Sequence, residues 1–415
     1  MSPAETSTPR PPVERTWLRL VIVVGVAAAL FALAALWDPR TGSGRDVDPR
    51  NGQAFIQDNL WTAGDAQYAV WVGDDAQPLL GVRAAAGGWE TTDLGAVGGN
   101  PLAAPTDDDT HNVYVLAVDP LGHVHVAGNM HTDQLRYIRT ERPGRYDRWV
   151  TPAMGGENQS VTYPAFVALP DGTLLFFRRE GLPGRGQLVL DRLPSGDTEW
   201  QHVGVIVDGI PSSEGPYFQH VAVDPDTGSI HLAWLWRQGP TSAGNNDVSY
   251  MRSDDRGASW TRSDGTPIEL PAVHDTAELV LDTGSRSGLL NNGGMIVDAD
   301  GRPHMVLQRG DRIIHLRFDG EGWIESEPIA AFTRSRPSLA RGPDGTVWAI
   351  GIRGTQLAAE QIHPDVGPTV RGSSVARGWE PTPDTQAMQL DDRIDILIAL
   401  RHVDEPLVET LDLTG

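Results

Sequence analysis

One unit recurs along this chain and limits what it can become: an apolar strand, a turn carrying Asp and Gly, and a second apolar strand. It is clearest in LAVDPLGHVHVAG from Leu116, VALPDGTLLFFRR from Val167, VAVDPDTGSIHLAWLWR from Val221, MIVDADGRPHMVLQR from Met295 and LARGPDGTVWAIGIR from Leu339. Looser copies begin at Tyr68 (YAVWVGDDAQPLLGVR) and Met388 (MQLDDRIDILIALRH). Each reads as a β-hairpin, and an isolated hairpin is marginal in water, so the copies must bury their faces against one another. Spacings of roughly 40–75 residues leave room for two further strands per unit, such as GGWETTDLG and TEWQHVGVIV. The expectation is an all-β fold, a β-propeller over residues 55–415, with seven blades by count of the hairpins and six as the alternative. The 46 Gly and 31 Pro agree, because they punctuate the chain too often for long helices.

The N-terminus departs from this pattern. Leu20 to Trp37 is an uncharged apolar run, LVIVVGVAAALFALAALW, preceded by Arg10, Arg15 and Arg19. Its length suits a transmembrane signal anchor, with residues 1–19 cytoplasmic, 20–37 in the membrane, 38–54 a polar linker and the propeller extracytoplasmic. A cleaved signal peptide is the alternative. There is no cysteine, which excludes disulfides, thiolate nucleophiles and cysteine-held metals. There is also no lysine, so all 33 basic residues are arginine and lysine-based covalent catalysis is excluded. A net charge of −22 argues against a nucleic-acid partner. Any anionic ligand must then be met by arginines gathered locally.

Alignment on the turn glycines sorts the histidines. Three residues after Gly122, Gly228 and Gly301 stand His125, His231 and His304, while the same slot after Gly172 and Gly345 holds Leu175 and Trp348. A slot that accepts His, Leu or Trp is a packing position. His123 and His125 share a face at period two, but no further aligned ligand supports reading them as a metal pair. At the ends of these hairpins come His131, Arg179, Arg237, Arg309 and Arg353, a cationic rim if the ends share one mouth of the propeller.

SDDRGASW, from Ser253 to Trp260, matches the Asp box of sialidase-like propellers through Ser253, Asp255, Gly257, Ser259 and Trp260, which are structural residues there. The segments DTHNVYVLAVDPLGHVHVAGNMHTDQLRYIRTERP, SVTYPAFVALPDGTLLFFRREGLPGRGQLVL and RSRPSLARGPDG resemble the BNR-repeat propellers that include ulvan lyases, with the resemblance running over residues 60–350 and densest between 109 and 260. That resemblance implies a seven-bladed polysaccharide lyase acting on an anionic, uronate-containing polysaccharide, ulvan-like or a rhamnose-glucuronate polymer. It further implies that His111 of the HN motif, Tyr163 of VTYP and Arg179 sixteen residues later are catalytic. His131, Tyr217, Asn112, His220, Trp236 and Arg237 would bind the sugar, with Trp234 an alternative stacking partner. Gly293 and Gly294 depart from the pattern, standing where larger or polar side chains are expected.

These residue types suit β-elimination. Arginine can neutralise the uronate carboxylate and the charge that grows as the C5 proton leaves, a neutral histidine can take that proton, and a phenol can supply one to the departing O4. The roles of His111 and Tyr163 as base and acid stay interchangeable at this level. No cofactor is required, and a structural calcium is compatible with the fold. A glycoside hydrolase of sialidase-like fold would need two carboxyl groups, or a Tyr/Glu pair with an acid, near an arginine cluster; Glu180 is the one candidate carboxylate near the motifs, and the Arg-Ile-Pro motif of sialidases is absent. A non-catalytic propeller that binds carbohydrate or protein is the other alternative.

Overall fold

A computed structural model gives the architecture; it describes residues 58–73, 77–84, 87–103, 109–329, 332, 336–342, 344–353, 356–364, 370–372, 380–391, 394–398 and 406–411. The apolar run at 20–37 and the linker lie outside these. Among the described residues no helix is long and apolar enough to cross a membrane.

Seven antiparallel sheets follow one another along the chain. Blade 1 is β1 (Leu60–Ala63), β2 (Ala66–Val72), β3 (Pro78–Ala84) and β4 (Glu90–Asp93). Blade 2 is β5 (Tyr114–Val118), β6 (Val124–Gly128), β7 (Tyr137–Arg142) and β8 (Arg145–Val150). Blade 3 comprises β9 (Val161–Ala168), β10 (Leu174–Leu182), β11 (Arg185–Leu193) and β12 (Gln201–Asp208). In blade 4, β13 (Glu214–Val223), β14 (Ile230–Gln238) and β15 (Asn245–Ser253) are joined by a short hairpin, β16 (Trp260–Thr261) and β17 (Pro267–Ile268), and by β18 (Glu278–Leu281), which pairs with β15. Blade 5 runs β19 (Gly294–Val297), β20 (Pro303–Arg309), β21 (Arg312–Phe318) and β22 (Trp323–Ile329). Blade 6 runs β23 (Ser338–Arg341), β24 (Val347–Arg353), β25 (Gln356–His363) and β26 (Val370–Gly372). Blade 7 has β27 (Thr382–Pro383), β28 (Ile394–Ile398) and β29 (Leu407–Leu411). The first strands of successive blades pack side by side from β1 to β27.

Five of the repeated hairpins are the first two strands of their blades, in the register expected from the turns. The two looser copies are not. The hairpin at Tyr68 is the second and third strands of blade 1, because the tight turn at Gly64, with φ of +56°, already joins β1 to β2. At the C-terminal copy, Met388 lies in a helix, α1 (Thr385–Asp391), and not in a strand. Asp384 caps it by accepting the Gln386 and Ala387 amides at 3.1 and 2.9 Å, an arrangement that outcompetes extension. The same carboxylate accepts the Thr62 hydroxyl at 2.7 Å and the Gln67 amide at 3.0 Å, so one residue caps the helix and closes blade 7 onto blade 1.

The Asp box forms the turn between β15 and β16. Ser253 donates to Asp255 at 2.9 Å and accepts the Gly257 amide at 2.9 Å, and Asp255 takes the amide and hydroxyl of Ser259 at 2.8 and 2.6 Å. Trp260, buried, returns its indole N–H to the Gly257 carbonyl at 3.1 Å. The slot histidines are buried, as are Leu175 and Trp348.

Candidate active site

The first strands of blades 2 to 6 begin at one mouth of the propeller, and the second strands end there. Residues just before or within those ends therefore converge although they are far apart in sequence. They line a cavity of about 280 Å³ that includes His111, His131, Tyr163, Arg179, Tyr217 and Arg237, together with Asn291 and Arg336. A second cavity, of about 320 Å³, is lined by the first strands of blades 3 to 6 toward their other ends, with Val167, Val221, Val297 and Arg341 in its wall, and by Thr382 and Pro383 of blade 7. The first gathers the histidines, tyrosines and arginines at one mouth, the arrangement that suits chemistry.

His111 precedes β5 and His131 follows β6, and Asp109 ties them together. One carboxylate oxygen meets Nδ1 of His111 at 2.6 Å and also accepts its backbone amide at 2.9 Å; the other meets Nδ1 of His131 at 2.5 Å. The two rings stack with centroids 4.0 Å apart at 20°. Burial opposes ionisation of Asp109, but the His111 amide and the two imidazoles outweigh it and hold its pKa at about 2. An ionised carboxylate only accepts, so each histidine carries its proton on Nδ1 and turns a basic Nε2 outward. Burial, with the neighbouring His131, pulls the pKa of His111 below its ordinary value against the attraction of Asp109. His111 is therefore a neutral base at pH 7.

Tyr163 reaches the cavity through a backbone irregularity. The pairing of β9 with β10 shifts between Phe177 and Arg179, and Tyr163 sits in that bulge with φ of +54°, left-handed backbone that is rare for a bulky residue. Its ring centroid is 5.9 Å from that of His111 and 6.0 Å from that of Tyr217. Burial raises its pKa, so the phenol keeps its proton.

Arg179 is 1% exposed. Its two terminal nitrogens donate to the carbonyls of Gly181 and Leu182, its Nε has no partner among the described residues, and its Cζ lies 4.4 Å from the Tyr217 ring centroid. Burial disfavours its charge, and the groups that counter this are the phenols Tyr217 and Tyr163, with no carboxylate among them. Arg237 lies over the same ring at 3.6 Å and is held by Asn245 at 2.6 Å and Asn291 at 2.8 Å. Arg336 pairs with Glu380 at 3.2 Å and donates to the Asn291 carbonyl at 2.8 Å. Among the described residues, no Asp or Glu lines the cavity.

Not every expected residue arrives. Asn112 is buried beside the cavity wall without lining it, its amide bonded to the Asp109 carbonyl at 3.0 Å. His220 lies beyond an irregularity in β13 and lines the opposite cavity. Trp236 is fully buried inside blade 4, donating to the Ser249 hydroxyl at 2.9 Å and stacking on His274 at 4.9 Å, so it has no face to offer a sugar; Trp234 is equally buried. Arg309 pairs with Glu325 at 3.7 Å and Arg353 points to solvent, so the cationic rim reduces to its members in blades 2, 3 and 4. Glu180 accepts from Arg178 at 2.8 Å and does not line the cavity.

Asp109, Asn291 and Arg336 were not singled out from sequence. Asp109 stands two residues before His111 in DTHN, a spacing at which a carboxylate can reach both the amide and the ring, and this was the readable signal. Asn291 and Arg336 come from blades 5 and 6 and carry no local signal. Gly293 and Gly294 are glycine for packing: a Cβ on Gly293 would lie 2.0 Å from the Val306 carbonyl oxygen, and one on Gly294 2.8 Å from the Leu339 amide nitrogen.

The model of the BNR repeat-containing family matches residues 66–327. No curated protein sequence matches the chain. Among solved structures, an ulvan lyase of polysaccharide lyase family PL25 superposes with a TM-score of 0.69 at 16% identity, covering 88% of this chain and 95% of its own. The same lyase bound to -[GlcA(1-4)Rha3S]- gives 0.66 at 16% identity, over 86% and 95%. The polysaccharide lyase Uly1 gives 0.69 at 15% identity, over 86% of this chain and 90% of that one. At such identities the likeness establishes the fold.

Proposed function

The chain belongs to the BNR repeat-containing family, and on that premise we propose that it is a lyase that cleaves a uronate-containing polysaccharide by β-elimination. The observation that carries this reading is Arg179: a guanidinium almost wholly buried, facing the phenols of Tyr217 and Tyr163 with no carboxylate among its described neighbours, in a cavity that also holds a neutral base in His111 and a protonated phenol in Tyr163. A buried charge without a counter-ion is costly, and a uronate carboxylate supplies one.

In this mechanism Arg179 pairs with the C5 carboxylate and stabilises the charge that develops there. Nε2 of His111 takes the C5 proton, its Nδ1–H held by Asp109 so that the imidazolium formed is stabilised. The electron pair of the C5–H bond becomes the C4=C5 double bond, the C4–O4 bond breaks, and the Tyr163 hydroxyl protonates the departing O4. His131 is stacked on the base and shares its carboxylate, which suits it to holding the sugar. Tyr217 and Arg237 form the floor. Hydrolysis by paired carboxyl groups finds no support among the described lining residues, which include no Asp or Glu. Extracytoplasmic placement through residues 20–37 belongs to the same proposal, and protease protection of the N-terminus in intact cells tests it.

The experiment is incubation with a panel of uronate polysaccharides, including ulvan and rhamnose-glucuronate gums, followed by ultraviolet absorbance of the conjugated product. Growth of that absorbance with wild type and its loss in Arg179→Ala is the expected result. New reducing ends without absorbance would mean hydrolysis, and glycan binding with neither signal would mean a binding module.

A further inference from the structure

Three blades repeat one aromatic arrangement at their seams, and the third copy changes its chemistry. In blade 2, Nδ1 of His125 meets the Tyr137 hydroxyl at 2.8 Å, and Trp200 of the next blade closes on them with its centroid 5.9 Å from His125. In blade 4, Nδ1 of His231 meets the Tyr250 hydroxyl at 2.7 Å, and Trp323 of blade 5 stands 5.0 Å from the Tyr250 ring. In blade 5 the partner of His304 is a histidine: its Nδ1 meets Nε2 of His315 at 3.0 Å. The side chain arriving from blade 6 is also a histidine, His363, 4.9 Å from His304 between centroids. Asp298 faces Nε2 of His304 at 3.2 Å. Donor atoms of Asp298, His304 and His363 all lie within 4.8 Å of one another.

We propose that Asp298, His304 and His363 bind a zinc ion that ties blade 5 to blade 6, with His315 as the outer partner of His304. Two borderline imidazoles with one carboxylate make a donor set that suits zinc, whereas calcium takes oxygen ligands throughout. Ligands about 2.0–2.1 Å from a tetrahedral ion sit roughly 3.3 Å from each other, close to the Asp298–His304 separation. Asp119 and His125 in blade 2 share that 3.2 Å contact, so the spacing alone does not mark the site. Blade 2 lacks the third donor, since Trp200 stands where blade 5 receives His363. His315 completes the assignment: its Nε2 stands 3.0 Å from Nδ1 of His304 and accepts that proton, which leaves Nε2 of His304 for the metal. The cavity trio of Asp109, His111 and His131 has the same composition, but its contacts of 2.6 and 2.5 Å are hydrogen bonds well below the roughly 3.3 Å that separates ligands of a tetrahedral zinc.

The full-length chain, carrying an affinity tag without histidine, is stripped with a chelator, given zinc sulfate and dialysed against metal-free buffer before zinc is counted by mass spectrometry. Wild type retains about one zinc per chain and melts lower when chelator is present. His363→Trp installs the residue type that the other seams carry, keeps the circular dichroism of the fold and loses zinc at least tenfold; Asp298→Asn does the same, and His131→Ala keeps its zinc. A folded wild-type chain that retains no zinc overturns the proposal, as does zinc that stays in His363→Trp or leaves with His131→Ala.

Discussion

Residues in the cavity work through what their neighbours permit. Asp109 sets the tautomer of two histidines at once, so removing either histidine, or the carboxylate, should act on catalysis before folding. His111→Ala should lower the elimination rate by about a hundredfold or more, the usual range for a general base, with an unchanged melting temperature. Since burial pulls the pKa of His111 below its ordinary 6.5, the rising limb of kcat/KM should lie below pH 6.5, and Asp109→Asn should displace that limb. A wild-type profile still rising above pH 7 would count against His111 as the base. Arg179 tests the converse. Its burial without a carboxylate is a liability for the empty protein, so Arg179→Met should abolish elimination while leaving the melting temperature equal or a few degrees higher. A large fall in melting temperature would instead make its bonds to the Gly181 and Leu182 carbonyls structural.

At the scale of elements, bulges and glycines position what the strands alone would misdirect. A regular β9 would alternate its side chains strictly, and the bulge at Tyr163 re-aims the phenol, at the expense of left-handed backbone. Gly294 acts at the next seam, where its amide donates to the Pro337 carbonyl at 3.0 Å and its missing Cβ leaves room for the backbone of blade 6. Gly294→Ala should cost about 1–3 kcal/mol, read as a lower urea midpoint at unchanged slope. The hairpin repeats were legible because alternation and an Asp/Gly turn are local properties. Helix α1 was not, because its cap, Asp384, is committed by contacts with blade 1 as much as by its own neighbours.

For the whole molecule the weak point of any ring is its closure. Asp58 and Asp384 are both buried at the junction of blades 7 and 1, and burial, partly offset by the Thr385 hydroxyl and reinforced by Asp384, lifts the pKa of Asp58 to about 7. Its folded pKa lies above the unfolded value, so the folded state holds the proton more tightly. Its contribution is complete at acid pH, declines as pH rises toward 7 and is level beyond. Buried histidines such as His231, lowered to about 4 by burial first, act in the opposite sense over part of this range. The clean readout is therefore the difference between Asp58→Asn and wild type. The variant should gain melting temperature relative to wild type between pH 5 and pH 8, with asparagine tolerating the positive φ of 63°. A difference independent of pH would show that Asp58 is not protonated in the fold.

The sequence by itself determined the all-β propeller architecture, the Asp box and the burial of His125, His231 and His304, because each rests on a turn, an alternation or a short motif within one blade; the candidacy of His111, Tyr163 and Arg179 came from the family resemblance of their motifs. It misplaced Trp236, His220 and Asn112, and it passed over Asn291 and Arg336. Which side chains share a cavity depends on where strands end, on bulges that reverse a side chain's direction and on the ring that brings blades 2 to 6 to one mouth. Those are long-range outcomes of packing, with no signature at any one position, and only the tertiary structure decides them.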